Sequence, residues 1–423
     1  MSLLMPDADR RPAVPLRLDV ERWATFRIRK RVLAVVHTVT SARRLLDAVR
    51  LLEGDPRVQV LFTVAGDVFN HGVDEFLENT RALVVPWGQA VHTRFDLALT
   101  ASYGSLHELN VPVIVLPHGA SYNKRVSVPD DRRGRPGRLP AVREVYGLGR
   151  QWLVRDGVVV PAAIVLAHED DRTRLGRECP EALPVAEVVG DPCYDRVAAS
   201  LPARDLYRRA LGAAPWQELV LVCSTWGPES LLGRHWDLLE QLADQLPRED
   251  FRIVVMLHSN VWNAHSEWHI RSAFAGLSRC GIGLVSQHAE WCGAVVGADY
   301  IVGDHGSVSL YGTMTGARLL AAGSPDTDLD PASPMAELRS LVPWIDTGRP
   351  LLRQLRQSSV AHRPDRYARV AARISSEPGR FARRMRALLY RKLRLRAPVA
   401  RPAAEAAPPP VLVRYGVPGG AGS

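Results

Sequence analysis

Residues 298–309 read Ala298-Asp299-Tyr300-Ile301-Val302-Gly303-Asp304-His305-Gly306-Ser307-Val308-Ser309. The apolar run Tyr300 to Val302 predicts a buried strand, the small polar residues after it a tight turn, and Val308 to Thr315 a helix. A strand that ends in a polar turn and runs into a helix is the unit of a parallel sheet, whose strands are apolar throughout because helices cover both faces. Working outward, the same unit recurs. Upstream lie strands at Glu218 to Cys223, Arg252 to Leu257 and Gly283 to Val285, separated by helical patterns at His235 to Gln245, Ile270 to Leu277 and His288 to Val296; Leu319 to Ala322 follows as a further strand.

A second series precedes this one. Val32 to Val36, Val58 to Val64, Ala82 to Val85, Leu97 to Thr100, Val111 to Leu116 and Ala162 to Ala167 read as strands, with an amphipathic helix at Ser41 to Leu52 and a Gly/Pro/Arg-rich loop at Asp130 to Pro140. Two αβ series in one chain predict an α/β protein of two Rossmann-like domains facing each other, with ligands at the carboxyl ends of the strands. The expected boundaries are a flexible 1–28, an N-terminal domain over 29–188, a C-terminal domain over 189–345, helices over 346–396 and a disordered tail over 397–423.

The net charge of +9 is unevenly placed. Between His362 and Arg401 the local charge is +11, which leaves the rest of the chain at −2. The periodicity predicts helix over Arg366 to Arg396, and within it Phe381, Met385, Leu388, Leu389 and Leu393 share one face while arginines fill the other. Such a basic amphipathic helix predicts an anionic membrane surface as partner of Phe381–Arg396. Nucleic acid is not expected as a partner, because the remainder is slightly acidic and carries no nucleic-acid-binding motif. Five cysteines without a CxxC pair predict neither a zinc ribbon nor a disulfide framework, and no metal site is expected. With no apolar run of ~20 residues and no secretory h-region at the start, the expected location is the cytoplasm, peripheral at the inner face of the membrane. The GxGxxG, Walker, HExxH and GxSxG patterns are absent, so dinucleotide, ATP-motor, zinc-protease and α/β-hydrolase chemistry lack their usual parts.

Chemistry is expected where strands end. His118-Gly119 follows the strand Val111 to Leu116, and a histidine with an ordinary pKa of about 6.5 can take a proton from an acceptor hydroxyl. The turn from Asp304 to Ser309 offers N–H groups and hydroxyls to a phosphate or diphosphate, although a serine at a helix start also reads as a plain N-cap. Two more strand ends carry Ser224-Thr225-Trp226-Gly227 and Leu257-His258-Ser259, and Gly190-Asp191-Pro192-Cys193-Tyr194-Asp195 forms a Gly/Pro turn between the halves.

Taken in order, HG-x4-K at His118 to Lys124, GDPxxD at Gly190 to Asp195, STWG at Ser224 to Gly227, LHS at Leu257 to Ser259 and ADYIVGDHGSVS at Ala298 to Ser309 resemble the CDP-glycerol glycerophosphotransferase family, the teichoic-acid primases and polymerases. The resemblance spans about residues 30 to 325 and implies a GT-B-like fold with a central cleft. It implies His118 as the acceptor base, with His258, Ser307, Ser309 and Thr225 on a CDP- or UDP-type donor and Asp304 shaping the turn. Lys124, Asp195, His305 and Trp226 are further candidates at the site. The chain departs from the family pattern at Leu116-Pro117 before the histidine, at Cys193 in place of an arginine, at Ser259 in place of a proline, and at His305-Gly306. Loss of that arginine implies either a different leaving group or a donor phosphate held elsewhere, for example by Lys124 or Arg125.

The function so implied is transfer of a glycosyl or glycerol-phosphate-type group from a nucleotide-diphosphate donor to a lipid-linked or polymer hydroxyl in cell-envelope synthesis, with the donor as substrate and no separate cofactor. Two alternatives stand beside it. One is a noncatalytic, degenerate GT-B binding or scaffold protein. The other is a UDP-N-acetylglucosamine 2-epimerase-like isomerase, which the lack of a glutamate in Leu310-Tyr311-Gly312-Thr313 disfavours.

Overall fold

In the computed structural model, which describes residues 25–67, 70–127, 143–323, 328–399 and 403–415, the apolar runs assemble into two parallel sheets. The first contains β1 (Lys30–Val36), β2 (Val58–Val64), β3 (Leu97–Thr100), β4 (Val113–Val115), β5 (Ala163–Leu166) and β6 (Ala186–Val188), in the order β6-β5-β4-β3-β1-β2. The second contains β7 (Glu218–Ser224), β8 (Phe251–Leu257), β9 (Gly283–Leu284), β10 (Tyr300–Gly303) and β11 (Arg318–Ala321), in the order β9-β8-β7-β10-β11. In the second sheet Val222 lies opposite Val255 on one side and Val302 on the other, all three fully buried. That double-sided burial is why these strands read as unbroken apolar runs.

Strand order reverses between β1 and β3 in the first sheet and between β7 and β10 in the second. At each reversal the connections leave in opposite directions and open a crevice beyond the carboxyl ends of the strands. The turns after β7 and β10 therefore hold Thr225 and Asp304 side by side, and those after β1 and β3 hold His37 and Tyr103. Ala82 to Val85, expected as a strand, forms only a single bridge from Val84 to Phe62, while β6 was not foreseen. The loop Asp130 to Pro140 lies outside the described residues, as does 1–24 of the expected flexible N-terminus.

Helix α1 (Val39–Val49) starts directly after β1, with Thr38 and Ser41 closing a capping box that satisfies two of the free N–H groups of its first turn. Helix α2 (Pro192–Ser200) is capped by Asp191, α3 (Ser259–His265) follows β8, and α4 (Ser307–Gly312) follows β10.

The C-terminal segment corrects two expectations. The helical pattern over 366–396 breaks at 375–379, a Ser-Ser-Glu-Pro-Gly stretch, into α5 (Pro364–Ala372) and α6 (Phe381–Leu393). The apolar face of α6 is not free for a membrane: Phe381, Met385, Leu388, Leu389 and Leu393 are buried in the core of the first sheet, against Leu45, Val49 and Leu52 among others. Its basic residues remain at the rim, where Arg384 pairs with Glu377, Arg391 pairs with Glu187, and Lys392 donates to the Ala162 carbonyl at 2.7 Å. The stripe was long enough to bury, and the arginines needed only to stay on the outside of it. No helix among the described residues is long and apolar enough to cross a membrane.

The tail, expected to be disordered over 397–423, is ordered from 403 to 415. Leu412 bridges Val285 in antiparallel fashion, the Val413 N–H donates to the Leu284 carbonyl at 2.8 Å, and Ala407 is buried with its carbonyl accepting from the Tyr207 hydroxyl at 2.7 Å. Backbone hydrogen bonding at the edge beside β9 supplies what the Pro/Ala composition lacks.

Candidate active site

The loop after β4 and the turn after β10 meet across the cleft. The Ala120 N–H donates to Ser307 Oγ at 3.2 Å, and a methyl group placed on Gly119 would stand 2.6 Å from that same oxygen. A side chain at Gly119 would therefore force either Ser307 or the loop to shift. A second junction lies beside it, where Thr40 Oγ1 at the start of α1 sits 3.0 Å from Ser259 Oγ at the start of α3.

Solvent reaches His118 from the cleft, while protein crowds the ring on its other sides. That crowding, with the positive charges of Arg44 and Lys124 nearby, lowers its pKa to about 4. His258 caps α3 by accepting the Asn260 N–H on Nδ1 at 3.1 Å, so the proton of the neutral ring sits on Nε2. Desolvation lowers its pKa to about 4 as well, helped by His118, Arg43 and Lys124 against an opposing pull from Asp304. Two neutral histidines in a cationic surrounding leave the cleft ready for an anion.

Asp304 is 4% exposed and holds the turn together. Its Oδ2 accepts the Thr225 N–H at 2.8 Å, the Thr225 hydroxyl at 2.7 Å and the Leu231 N–H at 3.0 Å, and Oδ1 accepts the Gly306 N–H at 3.1 Å. Four hydrogen bonds occupy this carboxylate, whose part is to fix the turn. Thr225 lends its proton to that task, which leaves only hydroxyl lone pairs for anything else.

The remaining expected residues divide. Lys124 is exposed and near enough to act on both histidines, His305 lies half-buried in the turn beside Ser307, and Trp226 is 43% exposed. Ser309 is buried beneath the turn with its hydroxyl directed to the Asp304 carbonyl at 3.4 Å, away from the cleft. Asp195 is the clearest correction: its carboxylate accepts the Gly379 N–H at 2.6 Å and the Phe381 N–H at 3.1 Å, so it caps α6. Arg125, a candidate for the donor phosphate, pairs instead with Glu178 at 3.4 Å. Among the described residues no three His, Cys, Asp or Glu side chains are grouped to hold a metal ion.

Sequence reasoning missed Arg44. It is 4% exposed in α1, with Nη2 donating to Asp191 Oδ2 at 3.2 Å and to the Tyr311 hydroxyl at 3.4 Å, while Nη1 has no hydrogen-bond partner among the described residues. One guanidinium thereby ties α1 to the cap of α2 and to α4 of the second sheet. The Asp191–Pro192 turn, read as a Gly/Pro turn between the halves, is the far end of this strut. An arginine on the inward side of α1 was the only local signal, and its partners lie too far along the chain for periodicity to find.

No family model matches the chain, and no curated protein matches it. Among solved structures, it is similar to a variant of the wall teichoic acid polymerase TagF soaked with CDPG, at 13% identity and a TM-score of 0.53 over 86% of this chain and 89% of that one. It is also similar to S. aureus MnaA in complex with UDP, at 12% identity and a TM-score of 0.52 over 88% of this chain and 99% of that one. The fold is GT-B. At these identities the likeness speaks for the arrangement of the two sheets, and the chemistry must be argued from the side chains.

Proposed function

We propose that this chain is a nucleotide-diphosphate-dependent GT-B transferase, which moves a glycosyl or glycerol-phosphate-type group to a hydroxyl acceptor in the synthesis of a cell-envelope polymer or glycoconjugate. The observation that carries the reading is the convergence of His118 and Ser307 from two different sheets, joined by the Ala120 N–H to Ser307 Oγ hydrogen bond. His118 stands where it takes the acceptor proton as the new bond forms. Ser307, Lys124 and His258 lie where negative charge builds on the departing nucleotide phosphate, within the positive potential of Arg43 and Arg44. The five free cysteines, four of them buried, suit a reducing interior, and we place the reaction in the cytoplasm.

Calorimetric titration with CDP- and UDP-activated donors, followed by assays of donor turnover, tests the reading. His118→Ala is expected to cut turnover by about 10²-fold or more and to leave donor affinity within a few fold, because a missing base acts on the chemical step. Failure of both donor classes to bind would refute the proposal. Binding without turnover in the wild-type protein would establish the noncatalytic reading instead.

A further inference from the structure

The crevice at the reversal point of the first sheet gathers groups that the donor side does not use. Directly after β1 comes His37, which is fully buried and whose Nε2 lies 2.9 Å from the Gly104 carbonyl. A carbonyl only accepts, so Nε2 carries the proton and Nδ1 is a bare acceptor, with no hydrogen-bond partner among the described residues. Beside it three aromatic rings, none fully buried, pack on one another: Tyr146 and Trp152 at 4.8 Å, Tyr103 and Tyr146 at 5.8 Å, Tyr103 and Trp152 at 6.2 Å between centroids. Tyr146 also lies 5.9 Å from the His118 ring, which brings the platform to the proposed base. Gly147, at φ +85°, lets this loop close on the rings, since a methyl there would stand 2.7 Å from the Tyr103 hydroxyl. Asp67 acts on both His37 and Tyr146, while Arg44 and Lys124 act on His118 at the edge of the platform.

We propose that the acceptor bound in this crevice is an uncharged sugar ring. Its C–H face would lie on the Tyr146–Trp152 platform, and its hydroxyls would meet Asp67 and the Tyr146 hydroxyl, the pairing of apolar surface with a few fixed polar groups that selects a small ligand. A glycerol-phosphate chain has no such face. The inference rests on the transferase reading for one step. As the acceptor oxygen bonds to the transferred carbon of a glycosyl donor, or to the distal phosphorus of a glycerol-phosphate-type donor, the bond from that atom to the donor phosphate oxygen breaks. The hydroxyl proton then passes to His118, and the nucleotide leaves with the electron pair.

Saturation-transfer NMR on the full chain without nucleotide, using methyl hexopyranosides and glycerol-3-phosphate oligomers as probes, tests the acceptor class alone. The expected result is pyranoside binding, weakened at least about 10-fold by Trp152→Ala and within about threefold of wild type for Trp152→Phe, with nucleotide-diphosphate affinity unchanged in both. If Trp152→Ala does not fold, Asp67→Asn carries the test, with pyranoside binding expected to weaken about 10-fold. The proposal is overturned if no pyranoside binds, if these variants bind it as the wild type does, or if the oligomers bind and Asp67→Asn strengthens them. Sugar binding in a protein that fails to turn over any donor would leave the acceptor assignment standing and remove the transferase reading.

Discussion

Replacing Gly119 by alanine puts the meeting of the two sheets to a quantitative test. The added carbon would stand 2.6 Å from Ser307 Oγ, about 0.8 Å short of the 3.4 Å at which ordinary contact begins. Gly119 does not have a positive φ, so alanine meets no backbone strain there and the effect is confined to this contact. Relief comes by one of two routes. If Ser307 rotates away, the hydrogen bond from Ala120 is lost, about 1 kcal/mol or a factor of about 5. If the His118 loop retreats instead, a displacement approaching 1 Å misplaces the base and costs about 10²-fold in turnover. Gly119→Ala is therefore expected to lower turnover between about 5-fold and 10²-fold. Ser307→Ala removes the offending oxygen and leaves its Cβ 3.6 Å from the new carbon, an ordinary contact. The double variant should then be no slower than Ser307→Ala alone. Turnover of the donor identified by titration, measured for wild type, both single variants and the pair, closes the cycle. Wild-type activity in Gly119→Ala, or effects that simply multiply in the double variant, would show that the loop and the turn do not meet.

Asp195→Ala leaves two backbone N–H groups at the start of α6 without their carboxylate, and the expected loss is about 2–5 kcal/mol of stability by urea denaturation with donor affinity unchanged; weaker donor binding at an unaltered midpoint would return Asp195 to the site. Because His118 has its pKa lowered to about 4, the acid limb of kcat/KM is expected well below the ordinary histidine range, and Lys124→Met, by removing a repelling cation, should move that limb to higher pH. A limb that stays in place would separate Lys124 from the base. The same lowered pKa values of His118 and His258 mean that the unfolded chain binds protons that the folded one refuses between about pH 6.5 and 4. Folding stability should accordingly decline as pH falls through that window.

The two-sheet plan was legible because buried parallel strands have no polar face to interrupt them, as at Val32 to Val36 and Tyr300 to Val302. The loop at His118 and the turn at Ser307 were legible for the same reason, since each is a polar interruption at a strand's carboxyl end. What failed were assignments that depended on a distant partner. Asp195 looks like a ligand until α6, nearly two hundred residues on, brings it two N–H groups. The amphipathic stripe of α6 has the same pattern whether it covers a bilayer or a sheet, and only the uncovered face beside α1 decides between them. Arg44 and the aromatic group at Tyr103, Tyr146 and Trp152 were invisible because each is assembled from segments whose local patterns are unremarkable.

The return of α6 to the first sheet also sets a timetable for synthesis. The half of the protein made first lacks six apolar side chains of its own core until Leu393 has been translated, because Phe381, Met385, Leu388, Leu389, Tyr390 and Leu393 complete it. At ribosomal speeds of about 5–20 residues per second, the roughly two hundred intervening residues take on the order of 10–40 s. Throughout that interval the apolar surface of α1 and its neighbours waits uncovered. The domain that emerges first is the last to close, and the nascent chain offers chaperones a defined hydrophobic patch whose lifetime is set by translation.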